Sequence, residues 1–160
     1  MKNFVLFGKP GSGKGTQAEH LSEKYKLYHI STGDLFRKNI SQNTNLGLLA
    51  QSYMDKGELV PDEVTIKMLE NEIKENKQSK GFLFDGFPRT IAQAESLDKF
   101  LKSIDMQINA TIALDVDEEE LISRIIDRGK TSNRSDDQDI EKIQNRFNAV
   151  SYTHLRAHET

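Results

Sequence analysis

The stretch GKPGSGKGT, residues 8–16, decides how the rest of the chain is read. It places four glycines and two lysines in nine residues, directly after the apolar run Phe4 to Phe7. Glycine has no Cβ, so successive backbone N–H groups can curl inward around an anion. Beyond it, Ala18, Leu21 and Tyr25 recur at helical spacing, which predicts a helix over Lys14 to Tyr25 with one face in the core. A helix starting there aims its positive dipole end at the same anion, and Lys14 adds a full charge. Gly8-x-x-x-x-Gly13-Lys14 is the pattern of a phosphate-binding loop, with one departure: the hydroxyl residue usually next to the lysine is displaced by Gly15 to Thr16, which bears on the magnesium ligand. The bland alternative is a flexible turn without side chains, and Lys9 reads as a solvated charge.

Strand-length apolar runs at Phe4 to Phe7, Tyr28 to Ile30, Gly81 to Phe84 and Ala110 to Val116 alternate with helix-period segments. That alternation predicts an α/β fold, a parallel sheet flanked by helices on both faces. Val64, Met68 and Ile73 mark a stripe after Pro61, and Ile140, Ile143, Phe147 and Val150 mark another. Thr90-x-x-Gln93 and Asp117-x-x-Glu120 have the form of capping boxes, the second with a Val116 to Leu121 staple. Residues 129–139, GKTSNRSDDQD, read as a mobile polar loop.

A second signal is FLFDGFPR, residues 82–89. An apolar strand ending in a carboxylate sets Asp85 at the strand end, where it can hold a hydrated Mg²⁺ beside nucleotide phosphates; an ordinary Asp-Gly turn is the alternative. The third signal is arginine. Arg124 and Arg128 share a helix face at i and i+4, a like-charge pairing that costs a few tenths of a kcal/mol unless an anion offsets it. Arg134 and Arg146 follow. Guanidinium groups grip phosphate oxygens bidentately, so the four resemble a clamp for a transferring phosphoryl group; the alternative is surface arginines paired with Asp127, Asp136 or Asp137.

Composition limits the rest. The chain has 160 residues, a net charge of −3, 36% hydrophobic residues and no cysteine. It is one domain's length, without a disulfide framework or thiolate metal site. No apolar run approaches the ~18 residues that span a bilayer, and no leader pattern opens the sequence, so a cytoplasmic location is expected. The acidic balance argues against a nucleic-acid binder.

Taken with ISTGDLFR at 30–37, GELVPDE at 57–63, GFLFDGFPRTIAQ at 81–93, RIIDRGKTSNRSDD at 124–137 and NRF at 145–147, the loop makes the chain resemble adenylate kinase in its short-lid form, over residues 1–148. The resemblance implies a P-loop nucleoside monophosphate kinase fold, and transfer of the γ-phosphoryl of ATP to AMP to give two ADP, with Mg²⁺ as cofactor. It implies that Gly11, Ser12, Gly13, Lys14, Gly15 and Thr16 wrap the ATP phosphates, that Arg124 lies against the ATP base, and that Asp85 orders the metal through water. It implies that Thr32, Gly33, Arg37, Met54, Glu58, Val60, Gly86, Arg89 and Gln93 hold AMP, with Arg37 and Arg89 on its phosphate. Gln93 has a competing local use as capping partner of Thr90, and Met54 could be simple packing. Lys14, Arg89, Arg128, Arg134 and Arg146 are the implied catalytic set. Residues of about 31–60 and 129–139 are implied to be covers that close over the nucleotides, and the working unit is expected to be a monomer with nucleotides as its partners, without nucleic acid or membrane.

The resemblance stops near Asn148. The closing AVSYTHLRAHET lacks an apolar run able to form the family's next strand, so residues 149–160 are expected to be a foreign or disordered tail, the family's last strand and helix absent, and the fourth strand an unpaired edge. His154 and His158 stand at i and i+4 without a nearby carboxylate, which argues against a metal site. Two readings compete with AMP phosphorylation. A UMP/CMP kinase would carry alanine at position 32 and asparagine at position 90, where this chain has Thr32 and Thr90. A fragment that binds phosphates without turnover is the other. A GTPase switch is excluded, because Asp85-Gly86-Phe87-Pro88 and Asn76-Lys77-Gln78-Ser79 fail its two signatures.

Overall fold

A computed structural model describes residues 1–132, 134 and 137–157, with side chains through residue 148. The chain divides into two compact units, residues 1–7, 14–33 and 61–113 in the first and residues 8–13, 34–60 and 114–160 in the second.

The first unit is built on a four-stranded sheet ordered β2-β3-β1-β4, from β1 (Lys2–Gly8), β2 (Tyr28–Ser31), β3 (Gly81–Asp85) and β4 (Ala110–Leu114). β3 pairs in parallel with both β1 and β2, in the registers Phe4 to Leu83 and Ile30 to Phe84. It is central, and Phe82, Leu83 and Phe84 are fully buried, as a parallel strand covered on both faces requires. β4 ends at Leu114, two residues short of the expected run, and its residues are exposed or half-buried at the sheet edge. Asn3 ties this unit together. Its Oδ1 accepts from the Phe82 amide at 3.0 Å, its Nδ2 donates to the Gln107 carbonyl at 2.8 Å, and its backbone N–H donates to Asn109 Oδ1 at 2.8 Å.

Three helices complete this unit. α1 (Lys14–Tyr25) has the expected bounds and packs on β2 and β3 with Ala18 fully buried. Tyr25 departs from expectation: it is 36% exposed at the helix end, its ring meeting Phe4 edge-on at 5.7 Å. α4 (Asp62–Glu75) buries Thr65, Leu69 and Ile73, whereas Val64 and Met68 are only half-buried. The inward ridge is a strict i, i+4 row that includes a threonine. Thr65 Oγ1 donates to the Pro61 carbonyl at 3.3 Å, so its hydroxyl goes inside already satisfied. α5 (Ile91–Ser103) begins at Thr90, whose Oγ1 accepts from the Gln93 amide at 3.1 Å. The return half of that capping box is displaced by one residue, since Gln93 Oε1 accepts from the amide of Arg89.

The second unit contains α2 (Thr32–Ser41) from Asp34 onward, α3 (Asn45–Met54), α6 (Glu118–Thr131) and α7 (Ile140–Ala157). α3 is capped by Thr44, which accepts from the Gly47 amide at 2.9 Å. Leu121, Ile125, Ile143 and Phe147 form the buried cluster between α6 and α7, with Val116 packed against it as the staple predicts. Ile140 is 67% exposed, because α7 turns inward only from its second turn, and the Val150 side chain lies outside the described residues. The second capping box does not form. Asp117 is the N-cap of α6 yet makes no side-chain cap bond, and Glu118, Glu119 and Glu120 supply the negative charge of the first turn instead. α6 continues to Thr131, so the loop expected from Gly129 begins only at Ser132; Asn133, Ser135 and Asp136 lie outside the described residues. Helical backbone runs through residues 149–157, within the stretch expected to be a tail, which has neither glycine nor proline to stop a helix. His158 lies outside the described residues, as does the His154 side chain.

Candidate functional site

In the first unit several of the side chains expected to be functional gather at the carboxyl end of β3. Asp85 ends the strand, only 8% exposed, and its Oδ2 lies 3.1 Å from Nε2 of His29 on β2. Gly86 follows at φ +80°, a left-handed turn that bends the chain out of the sheet. A Cβ there would stand 3.2 Å from both Thr32 Oγ1 and Arg89 Nη2, so glycine is also what lets those two side chains converge on the turn. Arg89 Nε donates to the Gly86 carbonyl at 2.7 Å, and Thr32 Oγ1 donates to the same oxygen at 3.3 Å.

Gln93 lies one helical turn beyond, 2% exposed. Its Oε1 accepts from the Arg89 backbone N–H at 2.6 Å and its Nε2 donates to Asp62 Oδ1 at 2.5 Å. Lys14, Gly15 and Thr16 begin α1, the lysine half-buried and the other two exposed. The structure therefore brings together Thr32, Gly86, Arg89 and Gln93 from the expected set, and Gly33 follows Thr32 in α2.

In the second unit lies Gly8–Gly13, the loop expected to bind phosphate, closed by the Ser12 amide donating to the Lys9 carbonyl at 3.2 Å. Gly11 sits at φ +82°, and a Cβ on it would meet Ile125 Cγ1 at 2.9 Å, so the loop lies directly on α6. A Cβ at Gly13 would meet nothing within 4 Å. Ser12 Oγ is buried without a hydrogen-bond partner. Open space beside the loop and an orphaned hydroxyl in it both suit a bound anion. Lys9 is not merely solvated: its ammonium lies 5.8 Å from the centre of the Phe147 ring.

The arginines of this unit organise around one acid. Asp137 is 1% exposed, and Arg128 grips it with Nε at 2.7 Å and Nη2 at 2.9 Å, while Arg146 Nη1 reaches the same carboxylate at 2.6 Å. Burial pushes the Asp137 carboxyl upward, but the hydrogen bonds and charges of Arg128 and Arg146 outweigh it and hold the group below the ordinary carboxylate range. Arg134 is depressed below the usual guanidinium value, first by burial and then by the charges of Arg37 and Arg128, with Asp137 and Asp34 opposing. Arg37 pairs with Asp34 at 2.5 Å. Arg128 is thus paired with Asp137 as the surface-arginine reading allowed, though that acid is buried, and Asp127 pairs with Lys130 instead. Arg124 is exposed and pairs with Glu120, one turn earlier on α6. Of the other residues expected on AMP in this unit, Val60 is buried, Met54 half-buried and Glu58 exposed.

His29 and Asp62 carried no signal in the sequence, since each gains its meaning only from a neighbour distant along the chain. Asp137 had one, its place in an Asp-Asp pair amid arginines.

The profile of the adenylate kinase family matches residues 6–156. The chain belongs to the adenylate kinase family. It is 66% identical to the adenylate kinase of Flavobacterium psychrophilum over 147 residues, which cover 92% of this chain and 77% of that protein. Over the same shares it is 60% identical to the adenylate kinase of Flavobacterium johnsoniae and 51% identical to that of Phocaeicola vulgatus. The parallel sheet with its flanking helices is the adenylate kinase architecture expected from the sequence. Among the described residues, no helix is long and apolar enough to cross a membrane.

Proposed function

We infer that this chain, an ATP:AMP phosphotransferase by family, works through the two sets of residues described above. The observation that carries the reading is the gathering of guanidinium groups in the second unit. Arg128 and Arg146 share the Asp137 carboxylate, and Arg134 has its pKa lowered first by burial and then by the charges of Arg37 and Arg128. Guanidinium groups whose charges act on one another in this way suit a dianionic phosphate, which they bind bidentately.

On this reading Gly11, Ser12, Gly13, Lys14, Gly15 and Thr16 hold the ATP phosphates, and Arg124 exchanges its exposed pairing with Glu120 for the ATP base. Thr32, Gly33, Arg37, Met54, Glu58, Val60, Gly86, Arg89 and Gln93 hold AMP, with Arg37 and Arg89 on its phosphate. Lys14, Arg89, Arg128, Arg134 and Arg146 spread the charge of a loose transition state while the acceptor oxygen lies in line with the γ-phosphorus. Among the described residues no three His, Asp or Glu side chains gather; Mg²⁺ needs only one or two carboxylates besides water and phosphate oxygens, which suits Asp85. When bound, that ion neutralises charge on the β- and γ-phosphates. Residues 31–60 and 129–139 act as covers that exclude water as a competing acceptor. The working unit is a monomer in the cytoplasm, with no nucleic-acid or membrane partner.

ADP formation from ATP measured with AMP, UMP, CMP and GMP tests this. AMP is expected to be the preferred acceptor; a preference for UMP or CMP would reassign the acceptor site. A bisubstrate analogue that raises thermal stability without any ADP formation would make the chain a binding fragment.

A further inference from the structure

Gln93 is held by two partners of opposite kind. The Arg89 backbone N–H can only donate, so the atom it meets at 2.6 Å must be the carboxamide oxygen. The Asp62 carboxylate can only accept when ionised, so the atom it meets at 2.5 Å must be the carboxamide nitrogen. Thr90 fixes the backbone of the same residue by accepting from its N–H. A carboxamide has two N–H hydrogens and two oxygen lone pairs. One of each is consumed, and one of each remains.

The remaining pair is a donor on nitrogen beside an acceptor on oxygen. That pattern matches the adenine edge, where N1 accepts and the 6-amino group donates. Rotated by 180°, the same carboxamide would match guanine or hypoxanthine, where O6 accepts and N1–H donates. Rotation would set the Asp62 carboxylate against the carboxamide oxygen and the Arg89 N–H against its nitrogen, leaving buried groups unpaired.

We infer that Asp62 is a positioning residue for base selection: with the Arg89 amide it locks the Gln93 carboxamide in the orientation that accepts adenine and rejects 6-oxopurines. This rests on the reading that Gln93 holds AMP, and takes the part of AMP it meets to be the base. Asp62 itself touches no nucleotide in this account. It sits in the first turn of α4, where an acid also helps the helix, so its test needs a readout that helix stability does not move.

The experiment is steady-state kinetics of the full chain with AMP, GMP and IMP as acceptors, for the wild type, Asp62→Ala, Asp62→Asn and Gln93→Ala. Asp62→Ala is expected to lower the kcat/KM ratio of AMP over GMP and IMP about tenfold or more, with the KM for ATP unchanged. Asp62→Asn keeps an acceptor oxygen of the same shape and should retain most of the ratio. A loss of thermal stability in Asp62→Ala with the ratio intact, while Gln93→Ala still raises the KM for AMP, overturns the inference alone. Unchanged AMP kinetics in Gln93→Ala overturn the reading it rests on. If Asp62→Ala does not fold, ¹⁵N NMR of the wild type and Asp62→Asn decides: the Gln93 side-chain N–H₂ should show one hydrogen-bonded proton in both, and its absence in the wild type rejects the lock.

Discussion

Asp85 and Asp137 are both nearly inaccessible carboxylates, one in each unit, and they are held in opposite ways. Asp85 meets an imidazole at 3.1 Å, a partner that can be neutral. Asp137 meets two permanent cations through three hydrogen bonds. A buried carboxylate with a weak partner keeps its charge available for a cation, whereas one saturated by guanidinium groups is an anchor. The difference teaches that position beside a catalytic motif does not give an acid its role. Its partners do.

The comparison is tested hardest at Arg128, which the proposal places on the transferring phosphate although it also grips Asp137. Arg128→Ala is expected to lower kcat about a thousandfold, the scale of one transition-state arginine, with little change in ATP affinity. Turnover equal to wild type in a coupled ADP assay would leave Arg128 an anchor partner only. Asp137→Asn comes next. It leaves Arg128 and Arg146 facing a neutral side chain, and should cost about 3 kcal/mol of stability by denaturant unfolding, because the acid is fully buried while Arg128 is a third exposed. Since its folded pKa lies below the ordinary 3.8, Asp137 contributes stability that is complete above that value and lost as pH falls through the folded one. The Asn variant should lack that acid-side loss, and an unchanged acid limb would separate Asp137 from acid unfolding.

Asp85→Asn sharpens the other side. Asparagine still reaches His29 but carries no charge, so the Mg²⁺ concentration for half-maximal ADP formation should rise roughly 10- to 100-fold, the scale seen for groups that act on a metal through its water shell. The same Mg²⁺ dependence in both proteins would remove Asp85 from the metal.

The sheet was legible because its strands are dense apolar runs: β1, β2 and β3 lie within a residue or two of expectation, and α1 matches in full. The glycine-rich loop and the arginines could be singled out because their spacing is a local property of the sequence, whereas the roles given to them are proposals. What stayed hidden depends on partners remote in sequence. Nothing near Asn3 marks it as the knot between β1, β3 and the 107–109 segment, and nothing near Asp62 points to Gln93, 31 residues away. The buried face of α4 was misread because apolarity alone selects Val64 and Met68, while the geometry selects a threonine whose hydroxyl is spent on its own backbone. α3 has no sharp apolar periodicity, and only the Thr44 cap announces it.

The two capping-box patterns give the smallest expected effect and the cleanest contrast. Both have a polar N-cap residue and a long acceptor three positions later, yet only Thr90 bonds its helix, through the Gln93 amide at 3.1 Å, while Asp117 makes no cap bond. Thr90→Ala should therefore cost about 1 kcal/mol, a fall of roughly 2–4 °C in Tm for a chain of this size. Thr90→Ser should restore most of it. Asp117→Ala removes only a charge near a helix start that already carries three glutamates, and should cost no more than a few tenths of a kcal/mol. Equal losses at the two positions in parallel thermal melts would mean that Asp117 caps α6 in solution. Unequal losses would leave the N3 residues to explain the contrast: Gln93 is engaged by Arg89 and Asp62, whereas Glu120 would have to leave Arg124 to complete a box.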